Sequence, residues 1–132
     1  MSNAMNTRLA LAALALSLTT GIAAAHHSFS VFNMQEQVSI KGTVNKVQWT
    51  NPHIWVWIDV KDASGKVVTW GLEGMSPNFL ARRGWTRTTL KAGAEVTVKL
   101  SPLKSGEPGG MFQSTTTPDG VVLSMGGGRE ED

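Results

Sequence analysis

The chain has 132 residues, room for one domain, with twelve basic and ten acidic residues, no cysteine, no tyrosine and five tryptophans. The net charge of +2 is too small to mark a nucleic-acid binder. Without cysteine, thiolate catalysis, thiolate metal sites and disulfides are all excluded.

The first four residues, Met1-Ser2-Asn3-Ala4, have the look of the remnant of a cleaved affinity tag. Residues 5–25 then carry the three parts of a secretory signal peptide. Arg8 is the positive start, Leu9 to Leu18 is the apolar run, and Ala23-Ala24-Ala25 offers a cleavage site. The run is shorter than the roughly 20 residues a membrane span needs, so no stable membrane anchor is expected. The expected location is the periplasm or the medium. Cleavage after Ala25 leaves 107 residues, beginning at His26, with eleven basic and ten acidic side chains, because Arg8 is the one charged residue removed. That length supports one modest core.

In chain order, Val38, Ile40 and Val44 alternate as in a half-buried strand. Val47 is out of phase with them, and Gly42 offers a place for a bend or bulge. Thr50-Asn51-Pro52 reads as a turn. In the next strand Ile54, Val56, Ile58 and Val60 share one face, and His53, Trp55, Trp57 and Asp59 the other. Ser64-Gly65 is a hairpin turn, followed by Val68, Trp70 and Leu72 on alternate positions. Ser76 then suits an N-cap, Pro77 a first helical position and Gly84 a C-terminal stop, so a short helix is predicted over 77–83. Lys91 to Gly93 turns the chain into a strand carrying Val96, Val98 and Leu100. Ser105 to Gly110 reads as a Gly/Pro loop, and residues 112–116 and 121–125 as a last, weaker pair of strands. Residues 26–125 are therefore predicted to form one all-β domain with one short helix: a small five- to six-stranded Greek-key barrel of the oligonucleotide/oligosaccharide-binding (OB) kind. The glycine-rich, acidic end, residues 126–132, is predicted to be a disordered tail.

Several of these stretches occur together in a known group. His26-His27-Ser28-Phe29 after a signal peptide, Trp49 to His53 (WTNPH), Ser76 to Asn78 (SPN) and Arg82 to Arg87 (RRGWTR) resemble a family of short exported bacterial proteins of unknown function. The resemblance covers nearly all of the exported part. It implies export and a compact β-fold, and no activity.

The candidate metal ligands are His26, His27 and His53, the three histidines of the chain. With cleavage after Ala25, the free amine and imidazole of His26 can close a chelate on one ion. A further histidine completes a three-nitrogen set, which suits the planar preference of Cu(II). Cleavage after Ala24 puts His27 third from the amine, another compact Cu(II) or Ni(II) chelator. Zinc fits less well without cysteine or an evident carboxylate. The simpler alternative is that His26 and His27 are solvated and His53 is a turn residue. Trp55, Trp57 and Trp85 form a second candidate set, for a glycan, a small ligand or a partner protein, because exposed aromatic faces stack on sugars and bases. Phe29, Phe32 or Phe79 could instead cover the first two rings. Arg82, Arg83 and Arg87 have the charge to grip a phosphate or carboxylate, although helix-end capping accounts for the first two. Asp59 and Glu73 read as surface residues. No nucleophile, P-loop or dinucleotide motif is present, and the expectation is a non-enzymatic binding protein with Cu(II) as the candidate cofactor.

Overall fold

In the computed structural model, residues 29–126 are described; His26, His27, the stretch read as signal peptide and, of the stretch read as tail, residues 127–132 lie outside them. The chain divides into two units, Met1–Val31 and Phe32–Asp132, and the strands all belong to the second. Among the described residues they are β1 (Val38–Gln48), β2 (Trp55–Lys61), β3 (Val67–Glu73), β4 (Glu95–Pro102), β5 (Gly109–Thr116) and β6 (Val122–Ser124), with one helix, α1 (Pro77–Ala81), between β3 and β4. The first five strands close on themselves in the order β1-β2-β3-β5-β4-β1. That circuit is antiparallel except at the parallel β3–β5 seam, and it is the OB-type Greek-key barrel. β6 is an extra strand on β5.

Alternation builds the barrel core as the sequence leads one to expect. Ile54 just before β2, Val56 and Ile58 from β2, Leu72 from β3, Val96, Val98 and Leu100 from β4 and Phe112 from β5 are all buried. The β2–β3 hairpin is fixed by its turn. Gly65 takes a positive φ of 85°, and the Asp62 carboxylate accepts hydrogen bonds from the Ser64 and Lys66 backbone N–H groups. These bonds and that of the Ser64 hydroxyl hold the Asp62 carboxyl below the usual carboxylate range, the Ser64 side chain contributing most.

Two strands carry an extra residue. In β1, Val44 opposes Ile58 and Lys46 opposes Trp57, so Asn45 is the bulge. The break of phase at Val47 therefore arises at Asn45 rather than at Gly42. Gly42 has a different role: a Cβ there would stand 2.4 Å from the Asp59 carbonyl oxygen, so the strands can cross this closely only over glycine. In β5, Lys99 opposes Ser114 but Leu100 opposes Phe112, which makes Gln113 the bulge. Each bulge separates two inward residues by three positions and turns two consecutive polar side chains outward: Asn45 and Lys46, and Gln113 and Ser114.

β5 begins at Gly109, inside the stretch that composition alone marks as loop. Gly109 and Gly110 are strand residues because nothing larger fits. A Cβ on Gly109 would lie 3.0 Å from the Gly71 carbonyl oxygen, and one on Gly110 2.3 Å from that of Ser101. The helix starts where expected, with the Phe79 N–H donating to Ser76 Oγ at 3.3 Å. It ends two residues early, because the Arg83 N–H and the Trp85 N–H both turn back to the Leu80 carbonyl. Gly84 supplies the positive φ of 83° that this reversal requires. Leu80 seals the core beneath.

Candidate functional site

The outer face of β2 and β3 carries the residues with chemistry. Trp55 and Trp57, two apart on β2, point the same way and stack with ring centroids 6.0 Å apart and planes at 27°. Opposite Trp57 stands Gly71. A Cβ there would be 3.5 Å from Trp57 Nε1 and 4.0 Å from the Trp55 ring, in ordinary contact with both indoles. The Lys46 ammonium, turned outward by the β1 bulge, sits 4.4 Å above the Trp57 ring, a cation–π contact. Both rings remain partly exposed. Of the phenylalanines that might cover them, Phe32 is buried in a bridge to Leu103, and Phe79 carries the Arg83 guanidinium 3.5 Å above its ring.

At one end of this face the His53 Nδ1–H donates to Glu73 Oε1. Glu73 lies opposite Trp55 in the hairpin, which places it diagonally across from His53, within reach of a long side chain. The two side chains are 26% and 17% exposed, so water screens the pair only in part. A carboxylate on Nδ1 fixes the ring's orientation and its tautomer, and directs any metal to Nε2. At the other end, Asp59 accepts hydrogen bonds from Asn45 Nδ2 at 2.8 Å and Thr69 Oγ1 at 2.7 Å. These two bonds, Asn45 first, hold its carboxyl below the ordinary range. The face is thus a strip of set side chains running from His53–Glu73 across two indoles to Asp59.

The candidate residues divide as follows. His53, Trp55 and Trp57 come together on this strip. His26 and His27 lie outside the described residues. Trp85 stands elsewhere, 5% exposed, edge-on to Phe112 with centroids 6.2 Å apart. Its indole N–H donates to the Ser124 carbonyl at 3.2 Å. It is a core residue whose edge borders a separate cleft. Glu73, read from sequence as a surface residue, is the one the pattern missed. The hairpin turn at Ser64-Gly65 sets the register that brings it to His53. Among the described residues no three His, Asp or Glu side chains cluster closely enough to hold a metal ion, and no helix is long and apolar enough to cross a membrane.

No curated protein and no solved structure matches the chain. One family model does, over residues 13–113, a stretch that takes in β1 to β4 and β5 as far as Gln113. The chain accordingly belongs to the family of unknown function DUF6152.

Proposed function

We propose that this is an exported, non-enzymatic binding protein that takes up Cu(II) outside the cytoplasm through His26 and His27 after the signal peptide is removed, with His53 as third ligand. The observation that carries this reading is the Glu73–His53 hydrogen bond. A carboxylate behind a ligating imidazole is the arrangement that fixes its tautomer and sets its direction. The apolar run and Ala23-Ala24-Ala25 support export, which releases the amine that the chelate needs. The test is a Cu(II) titration, followed by visible spectroscopy, of protein beginning at His26 against the unprocessed chain. Processed protein should bind one Cu(II) at least about 100-fold more tightly, by roughly 2.8 kcal/mol, and lose affinity as pH falls through the histidine range, because the ligands must be deprotonated. His53→Ala should weaken the processed protein by at least about tenfold. Equal binding by both forms refutes the N-terminal chelate.

The stacked, partly exposed Trp55–Trp57 pair favours a second reading, a binding face for a glycan or another small ligand. Indoles flanked by fixed polar groups suit a sugar ring, which stacks its C–H face and hydrogen-bonds at its rim. On this reading Trp55→Ala and Trp57→Ala should each reduce binding of neutral oligosaccharides on a glycan array, each stacked ring contributing about 1–3 kcal/mol. His53→Ala should leave that binding intact. An array that retains no glycan on the wild-type protein removes this reading.

A further inference from the structure

A second site lies away from the tryptophan strip. A cleft of about 600 Å³ opens between the segment that follows α1 and the outer face of β4, β5 and β6, within the size range of small-molecule sites. Its floor is a row of side chains in register across three strands: Lys99 on β4 pairs with Ser114 on β5, and Ser114 with Ser124 on β6. Adjacent strands are about 4.8 Å apart, so this rung offers one cation and two hydroxyls at regular spacing. The β5 bulge adds Gln113 beside Ser114, both turned outward. Bulges recur next to functional sites because they re-aim side chains in this way.

The wall supplies the second cation. The Arg83 guanidinium is stacked 3.5 Å from the centre of the Phe79 ring, and its Nη1 donates to the Phe79 carbonyl at 3.2 Å. Among the described residues that is its one hydrogen bond, which leaves most of the five donors on this held, planar group unengaged by them. Among the described residues, Arg83 and Lys99 are the charged members of the lining, with no Asp or Glu beside them. Two like charges around a polar cleft focus an attractive field for an anion. Hydroxyl and amide groups on the floor add hydrogen-bonding partners for a ligand's own hydroxyls.

We infer that this cleft is a binding site for a small polyhydroxylated carboxylate of the sugar-acid class. Arg83 takes the carboxylate, whose geometry the guanidinium fork matches. Lys99 adds its charge, and Ser114 holds a ligand hydroxyl, while Gln113, whose Nε2 donates to Ser101 Oγ at 3.2 Å, and Ser124, whose hydroxyl donates to the Gly126 carbonyl at 2.7 Å, offer their oxygens as acceptors. The site is independent of His53, Trp55 and Trp57, so its failure and that of the copper reading are separable.

The experiment follows amide and indole signals of the full-length protein by two-dimensional ¹⁵N NMR while glucuronate, glucose or inorganic phosphate is added. Glucuronate should give saturable shifts at Ser114, Ser124 and the Trp85 indole N–H. Glucose, which lacks the charge, should bind about tenfold more weakly or worse, the loss expected for charged hydrogen bonds. Phosphate, which lacks the hydroxyl ring, should also bind more weakly than glucuronate. Arg83→Gln and Lys99→Gln, both at exposed positions that leave the core untouched, should each weaken glucuronate about tenfold. The proposal is overturned if glucuronate gives no saturable shifts or if either variant binds it as the wild type does. It is equally overturned if glucose or phosphate matches glucuronate.

Discussion

Replacing Phe112 with alanine is expected to lower the free energy of unfolding by about 3–5 kcal/mol, measured by urea denaturation. Phe112 is 1% exposed. It closes the barrel core where β5 leaves β3 and meets Trp85 edge-on, an arrangement worth about 0.5–1.5 kcal/mol beyond burial. For a domain of ordinary stability, about 5–15 kcal/mol, the loss takes a large part of the total. Phe112→Leu keeps most of the volume and should cost about 1–1.5 kcal/mol. Equal losses for the two variants would show that the site tolerates a void, and that the packing assigned to Phe112 is wrong.

The second large effect is at Gly110. This residue is clamped between Leu72 on β3 and Pro102 on β4. A methyl group there would meet the Ser101 carbonyl oxygen at 2.3 Å and Leu100 Cδ1 at 2.5 Å. The leucine can rotate, but the carbonyl belongs to the ladder. Gly110→Ala must therefore push β4 and β5 apart at the point where the barrel closes. The expected loss reaches the upper end of overpacking costs, about 3 kcal/mol or more, a fall of roughly 10–20 °C in Tm for a domain of this size. Gly126→Ala is the control, since nothing lies within 4 Å of a Cβ there and its φ is not positive; its Tm should not move. An unchanged Tm for Gly110→Ala would mean that the close crossing of β4 and β5 is not a constraint on the fold.

Much of the architecture was legible from local signals. The β2–β3 hairpin, the Ser76 cap and the inward sets on β2 and β4 follow from alternation and turn chemistry, which act between near neighbours in the chain. What periodicity could not show were relations between distant strands. Gly109 and Gly110 look like loop residues because their reason for being glycine is the backbone of Gly71 and of Ser101, contributed by β3 and β4. The bulge at Gln113 shows only as two inward residues, Phe112 and Thr115, three apart rather than two, a signal as faint as that of Val44 and Val47 in β1. At the candidate site, Trp55 and Trp57 were visible as an aromatic face, but the partner of His53 was not. Recognising Glu73 required carrying the register of the Ser64-Gly65 turn nine residues back to the end of the hairpin. Trp85 shows the opposite difficulty. An aromatic between arginines resembles a ligand platform, yet its indole is consumed by the core and by the Ser124 carbonyl.

The parallel seam between β3 and β5 also bears on how the chain folds. It joins three residue pairs, against seven between β2 and β3 and six between β1 and β4, so it is the weakest join of the ring although the β1–β4 pairing spans more of the chain. The β1–β3 meander and the β4–β5 ladder can form from nearby segments, whereas the seam gains nothing until the whole intervening loop, helix included, has been ordered. Closure of the ring is thus the late step of assembly. The same short seam is the place where a native molecule opens first, ahead of global unfolding.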